Sequence, residues 1–181
     1  MKFYTVTDDY IKHLKQTDRN VPDNYQGKRA YIGIVLEINN VKYLAPLTSY
    51  KAKQDKISSS TPSIYKIHEV DVPENKLGMI QLNNMIPVSD DVISELDVDR
   101  EADPYKRMLQ RQIVFIRKNS AAIVTRAQKL RILVVDKKHP HFSKISCDFV
   151  ALEEAMGAYK TPESQPVSQD KLAALVEQFK L

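Results

Sequence analysis

"AYIGIVLEINNVKYLAPLTS", Ala30 to Ser49, sets two apolar runs rich in Ile, Val, Leu and Tyr on either side of Asn39-Asn40. β-Branched and aromatic residues suit a pleated strand, and Asn tolerates the left-handed backbone of a two-residue hairpin turn. The stretch therefore predicts an antiparallel hairpin with arms Ala30–Ile38 and Val41–Leu47. In the second arm Tyr43, Ala45 and Leu47 share one face and Leu44 and Pro46 the other, so both faces are apolar and the arm enters a core. Pro46 cannot donate to a ladder, which predicts an edge or a bulge near the end of this arm. The arm stops on Thr48 and Ser49, with Lys51 and Lys53 just beyond. Two hydroxyls and two ammoniums at a strand end are either an ordinary polar terminus or a phosphate-handling site.

Outward from the hairpin, "KFYTV" alternates like a short edge strand. Thr7 is placed to cap a helix through "DDYIKHLKQ", whose Asp8 and Asp9 suit the positive end of the helix dipole and whose Tyr10, Ile11 and Leu14 form the buried side. "TDRNVPDNYQGK" reads as loop. On the other side, "KAKQDKISSSTPS" predicts a polar, mobile loop and "IYKIHEV" a weaker strand. "PENKLGMIQLNNMIPV" reads as a strand, a break at Asn83-Asn84 and a second short strand. Ser89 is placed to start a helical turn through "DDVISEL". From Asp103 the period changes: Tyr105, Met108, Leu109, Gln112, Ile113 and Ile116 recur at three and four, with Asp103 as cap and Pro104 at the first helical position. A second helix is predicted through "AAIVTRAQKLRILV" after a break near Asn119-Ser120, then a basic loop "DKKHPHFSK", then a helix "FVALEEAMGAY" capped by Asp148. Strands first and helices later predict an α+β fold with an antiparallel sheet. Residues 1–160 form one domain in this division, and 161–181 a linker with a short amphipathic helix, "KLAALVEQF".

The 181 residues are 43% hydrophobic and 28% charged, a soluble globular balance. No apolar run approaches the roughly 18 residues of a membrane span, so no membrane association is expected. The polar start "MKFYTVTDDY" resembles no secretory leader, and one cysteine, Cys147, permits no internal disulfide, which suits a cytoplasmic protein. The net charge of +4 conceals segregation: Tyr105–Ile145 holds eleven basic residues against one acidic, and Thr61–Pro104 ten acidic against three basic. Clustered cations point to a polyanion partner, unless they pair with the acidic segment before them.

The chemistry compatible with these residues is phosphoryl transfer. It needs donors and positive charge aimed at the non-bridging oxygens, which Ser49, Thr48 and Lys51 can supply. RNA carries its own nucleophile, the 2′-hydroxyl, so no metal or cofactor is required. In "DPYKRMLQRQ", Lys106 and Arg107 occupy the first turn of a helix, where the dipole disfavours cations but welcomes anions. Arg107, Arg111 and Lys118 follow on one face, either as a positive strip or as a solvated face paired with "DVDREAD". "NYQGKRAY" interleaves Tyr25 with Lys28 and Arg29, as single-stranded RNA binders do, and Tyr50 beside Ser49 has the same capacity to stack on a base. His68 ends a weak strand as a possible base or a structural residue. His139 and His141 lack a third metal ligand nearby. Ser49 and Lys51 also form a loose Ser-Lys hydrolase pair, without the Gly-rich elbow of that class.

Seven runs occurring in order, "MKFYTV", "YIKHLK", "AYIGIVLEI", "KYLAPLTS", "NNMIPV", "PYKRML" and "CDFVALEE", resemble the ToxN/AbiQ family of type III toxin–antitoxin endoribonucleases, over roughly residues 1–159. The resemblance implies a compact, twisted antiparallel sheet or partly open barrel with flanking helices, similar to MazF/Kid toxins. It implies metal-independent cleavage of RNA to a 2′,3′-cyclic phosphate and a 5′-hydroxyl, in cellular and phage RNA. It also implies inhibition by a small pseudoknotted repeat RNA, the antitoxin, in a closed protein–RNA assembly. Through "PLTSYK" it carries catalytic roles onto Thr48, Ser49 and Lys51. It carries RNA contacts onto Tyr25, Arg29 and the adjacent Lys28, and onto Tyr105, Lys106 and Arg107. Some relatives place a tyrosine after "KRML", where this chain has Gln110. The rival class is a non-catalytic RNA-binding regulator using the same cations.

Overall fold

The computed structural model describes residues 1–22 and 32–160. Its centre is a seven-stranded antiparallel sheet of β1 (Phe3–Val6), β2 (Gly33–Ile38), β3 (Val41–Ser49), β4 (Ile64–His68), β5 (Lys76–Gln81), β6 (Ile86–Pro87) and β7 (Ile93–Glu95). The order is β4-β5-β3-β2-β1-β7, with β6 beside the first half of β3. The helices are α1 (Asp8–Thr17), α2 (Tyr105–Lys118), α3 (Ser120–Arg131), α4 (Pro140–Ile145) and α5 (Phe149–Ala158). The α+β class and the antiparallel sheet expected from the sequence are observed, and the sheet is not closed.

The hairpin forms as predicted. Asn39 and Asn40 take φ of 52° and 62°, the left-handed pair of a tight primed turn, and Ile38 opposes Val41. β3 is the pivot of the sheet. It pairs with β2 along one side, and on the other with β6 at Tyr43–Leu44 and with β5 at Leu47–Ser49. Pro46 is therefore not on an edge. The Leu47 amide donates to Ile32 O at 2.9 Å on the β2 side, so alternation turns the Pro46 nitrogen to the other side, into the gap between β6 and β5. A residue without an N–H belongs where the strand changes partners.

Other expectations are corrected. β1 is not an edge strand, because β7 covers its free side from Tyr4 to Val6. That strand takes the place of the helical turn expected through "DDVISEL": pairing with β1 outweighs local propensity in a segment this short. The expected loop "DKKHPHFSK" contains α4, started by Pro140 at its first position, where the missing N–H costs nothing. At α2 the cap is displaced by one residue. Pro104 occupies the N-cap position and Asp103 instead meets Arg107 Nε at 3.3 Å. Thr7 stands at the N-cap position of α1 without a side-chain cap bond among the described residues, whereas Asp148 caps α5 through Ala151 N at 3.1 Å as predicted.

The core joins Phe3, Ile34, Tyr43, Leu44 and Ile80 of the sheet to Tyr10, Ile11 and Leu14 of α1, Leu109 and Ile116 of α2, and Leu130 and Phe149. Each such side chain contributes roughly 1.5–3 kcal/mol of burial. Cys147 is buried at the entrance to α5, as expected. α2 packs on β4 and β5 and also on the short turn Val98–Arg100 beyond β7, so it spans between the two edges of the curled sheet. No helix among the described residues is long and apolar enough to cross a membrane. The proposed linker and terminal helix, 161–181, lie outside the described residues.

Candidate active site

The end of β3 is held by the segment after it. The single turn Ala52–Lys56 buries Gln54, whose side-chain amide donates to Thr48 Oγ1 at 3.2 Å and to Ser49 O at 3.0 Å. Asp55 accepts from the Tyr50 hydroxyl and from Lys76 Nζ, both at 2.8 Å. Arg126 of α3 donates to Ser59 O at 2.7 Å and lies 4.5 Å over the Tyr65 ring. The stretch "KAKQDKISSSTPS", expected to be mobile, is thus tied at both ends.

Thr48 and Ser49 are adjacent on a strand, so their side chains leave on opposite faces. Thr48 is half-buried against Gln54 and keeps its own hydroxyl hydrogen for a ligand; Ser49 is exposed. Ser49 opposes Gly78, which opposes Ile67, forming one row across β3, β5 and β4. Gly78 has φ +136°, and a Cβ there would strike the Thr48 carbonyl. No side chain therefore stands between Ser49 and β4. The register slips between Ile67 and His68, a bulge that sets His68 opposite Lys76. Beside the end of β3 lies an open cleft of about 300 Å³ lined by Tyr50, Gln54, Asp55, Lys66, His68, Lys76 and Gly78 among others; Thr48, Ser49 and Lys51 border β3's end but do not line it.

The electrostatics centre on Asp55. Lys76, and then Tyr50, hold its carboxyl below the ordinary carboxylate range, with Lys66 adding a smaller effect. The same hydrogen bonds raise the Tyr50 hydroxyl and the Lys76 amine. Lys76 Nζ also sits 5.4 Å over the Tyr50 ring. Exposed Lys51 and Lys53 rise from the same segment, so this mouth of the sheet carries four lysines, two of them supplied by β4 and β5. An anion entering it meets hydroxyls, a side-chain amide and ammoniums.

The second predicted cluster is placed differently. Lys106 Nζ meets Asp99 Oδ1 at 3.2 Å, Arg107 meets Asp103, and Arg111 Nε meets Glu69 Oε1 at 3.3 Å. Lys106 and Arg107 are thus paired with the acidic run "DVDREAD", as one of the two sequence alternatives held, whereas Arg111 pairs with Glu69 just after β4. These pairs are largely exposed and worth roughly 0.2–1 kcal/mol each, so phosphates can exchange with the carboxylates. Tyr105 and Lys106 start α2 beside the turn after β7; Arg111 lies farther along, beside the end of β4. Gln110 and Lys118 are exposed on α2. Tyr25, Lys28 and Arg29 lie outside the described residues.

Sequence reasoning passed over Gln54, Asp55, Lys66, Lys76 and Gly78. An isolated glycine inside the strand "KLGMIQ" signals a bulge or close backbone approach, and that signal was available. Nothing local marks the lysines, because their partners are 21 residues away or across the sheet.

With this geometry in place, the chain can be set beside known proteins. Residues 2–157 match the family model for toxin ToxN of type III toxin–antitoxin systems. The chain belongs to this family. The endoribonuclease ToxN of Pectobacterium atrosepticum is 46% identical over 159 residues, 85% of this chain and 91% of that protein. A solved structure of a bacterial antiviral system regulated by a processed non-coding RNA superposes with a TM-score of 0.80 at 40% identity, covering 89% of this chain and all of that one. A second, a type III toxin inhibited by a non-coding RNA pseudoknot, gives 0.74 at 30% identity over 87% of this chain and 96% of that one. The ToxN resemblance drawn from seven short runs therefore extends across the whole sheet and all five helices.

Proposed function

We propose that this chain is the endoribonuclease toxin of a type III toxin–antitoxin system, acting in the cytoplasm against cellular and phage RNA and held inactive by a pseudoknotted repeat RNA. The observation that supports the site is the end of β3, where buried Gln54 holds the Thr48 hydroxyl and the Ser49 carbonyl and also lines a cleft that carries Tyr50, Lys66 and Lys76. It suits a phosphodiester, whose charge grows on the non-bridging oxygens as the 2′-oxygen attacks. In this mechanism Ser49 donates a hydrogen bond to the scissile phosphate. Thr48, oriented by Gln54, donates from the other side of the strand end. Lys51 stabilises the phosphorane and protonates the departing 5′-oxygen. Preorganised donors of this kind are worth roughly 10²–10³ in rate each. Tyr50 and Lys53 beside the cleft, and Tyr25, Lys28 and Arg29 before β2, bind flanking nucleotides. Tyr105, Lys106, Arg107, Gln110, Arg111 and Lys118 along α2 take the phosphates of substrate or antitoxin. No metal ion or cofactor enters the reaction.

Lys51→Ala is the test. Its expected effect is a fall of roughly 10²–10³-fold in RNA cleavage and loss of growth arrest, with an unchanged unfolding midpoint. Wild-type products should carry cyclic-phosphate ends and form undiminished in excess chelator. Full toxicity in Lys51→Ala refutes the assignment. RNA bound with steep salt dependence but left intact identifies a non-catalytic regulator instead.

A further inference from the structure

The mechanism above places the scissile phosphate at the end of β3 and gives the cleft beside it no role of its own. Strand alternation decides which side of the sheet that cleft is on. Thr48 and Lys66 both oppose Met79, so the three form one row on one face. Gln54 donates to Thr48 Oγ1 at 3.2 Å and lines the cleft together with Lys66. A group bound in the cleft is therefore separated from the Thr48 hydroxyl by one amide, while Ser49 leaves on the other face. The volume of about 300 Å³ lies at the lower end of the roughly 300–1,000 Å³ of small-ligand sites, which suits a single nucleobase.

The hydrogen bonds of Asp55 make the cleft selective. The Tyr50 hydroxyl and Lys76 Nζ both donate to Oδ2, each at 2.8 Å. Oδ1 accepts from no group among the described residues, although each oxygen of an ionised carboxylate can take hydrogen bonds. Lys76, and then Tyr50, hold the carboxyl below its ordinary range, so at neutral pH it accepts and has no proton to give. Asp55 is exposed and lines the cleft, which leaves Oδ1 as an anionic acceptor for a ligand. Lys66 on the same lining has no hydrogen-bond partner among the described residues. Tyr50, also exposed there, offers aromatic area to a base of any kind. The choice between bases falls to the carboxylate.

We infer that the cleft is a base-reading subsite, in which Asp55 Oδ1 accepts a hydrogen bond from the exocyclic amino group of an RNA base beside the cut. This rests on the nuclease assignment above and deepens it. Adenine, cytosine and guanine carry such an amino group and uracil does not. The one edge donor of uracil, N3–H, lies between two carbonyl oxygens that a carboxylate repels. Lys66 pairs with a phosphate of the same strand, which adds affinity without regard to sequence. Gln54 and Asp55 are consecutive in one turn, so the group that reads the base is fixed to the group that orients Thr48. The geometry also dictates what Asp55→Asn would do. Tyr50 and Lys76 still donate toward the Oδ2 position, so the new amide must put its oxygen there and its NH₂ in place of Oδ1. That variant presents a donor where the wild type presents an acceptor, and a donor suits O4 of uracil.

The test uses the full chain and a pool of RNAs randomised on both sides of the cut, with the products sequenced. The wild type is expected to disfavour uracil at one flanking position by about ten- to 10²-fold, the range of a hydrogen bond to a charged group. Asp55→Asn should raise uracil above adenine and cytosine at that position and leave the preferences at all others unchanged. Lys66→Met should weaken cleavage of every sequence alike, without moving any preference. A wild type that cuts uracil as well as the other bases at every flanking position overturns the subsite, as does an Asp55→Asn protein with the wild-type preference. RNA left intact by the wild type overturns the nuclease assignment and this role with it. If Asp55→Asn fails to fold, the wild type decides on analogues that lack only the amino group: purine for adenine, 2-pyrimidinone for cytosine, hypoxanthine for guanine. The analogue of the selected base should lose the same ten- to 10²-fold, and an analogue cut as fast as its parent overturns the reading.

Discussion

Gly78→Ala adds one methyl group at the point where β5 passes the Ser49 end of β3. The new carbon would fall inside the van der Waals shell of the Thr48 carbonyl oxygen, 3.0 Å from the Thr48 carbonyl carbon and 3.2 Å from that of Ser49. Carbon atoms ordinarily rest roughly 3.5–4.0 Å apart, so the backbones must part by at least about half an ångström. The φ of +136° is also a conformation side chains rarely adopt, a strain of about 1–3 kcal/mol. If one ladder hydrogen bond between Thr48 and Met79 is lost as well, about 1 kcal/mol is added. A total of about 3 kcal/mol corresponds to a fall in unfolding midpoint of about 6–12 °C for a chain of this length. The shift moves Thr48 and Ser49 themselves, so RNA cleavage should fall by about 10²-fold even at temperatures where the variant is folded. Differential scanning calorimetry and gel-resolved cleavage at 25 °C measure both effects. Gly157→Ala is the matched control: nothing lies within 4 Å of its added carbon, and it should gain about 0.5–1 kcal/mol from reduced chain entropy in α5. A Gly78→Ala protein with wild-type midpoint and wild-type cleavage would refute the claim that the close approach of β5 fixes the site.

Gln54→Ala should lower cleavage about tenfold to 10²-fold for a stability loss of only about 1–2 kcal/mol, because the amide orients Thr48 and the Ser49 carbonyl and touches little else that is described; steady-state kinetics beside a urea melt separates the two, and an unchanged kcat would discount the anchor. Asp55 ties Tyr50 to Lys76, and its carboxyl is depressed below 3.8 by Lys76 and then Tyr50. A depressed acid stabilises the fold above its unfolded pKa and loses that contribution as pH falls through the folded value. The urea midpoint of the wild type should therefore exceed that of Asp55→Asn by a small constant amount above roughly pH 5, and the two should converge below roughly pH 4; a gap that widens in acid contradicts the sign.

Much of this protein was legible locally. Asn39-Asn40 between two apolar runs determined the hairpin, because turn type and strand period are properties of neighbouring residues. The period of three and four from Tyr105 to Ile116 determined α2, and Asp148 determined where α5 begins. The ordered runs from "MKFYTV" to "CDFVALEE" were sufficient to recognise the family. Elements settled by distant partners were not legible. β7 replaced a helical turn because β1 was there to pair with it, and the loop after Tyr50 proved ordered because Gln54 found Thr48. The cleft itself is a product of register. Ser49, Gly78 and Ile67 meet only because three strands align, and Lys76 comes opposite His68 only because that alignment slips by one residue. Sequence alone named the hydroxyls and Lys51 at the end of β3. The tertiary structure decided what stands opposite them, because cross-strand neighbours are chosen by hydrogen-bond register between segments far apart in the chain.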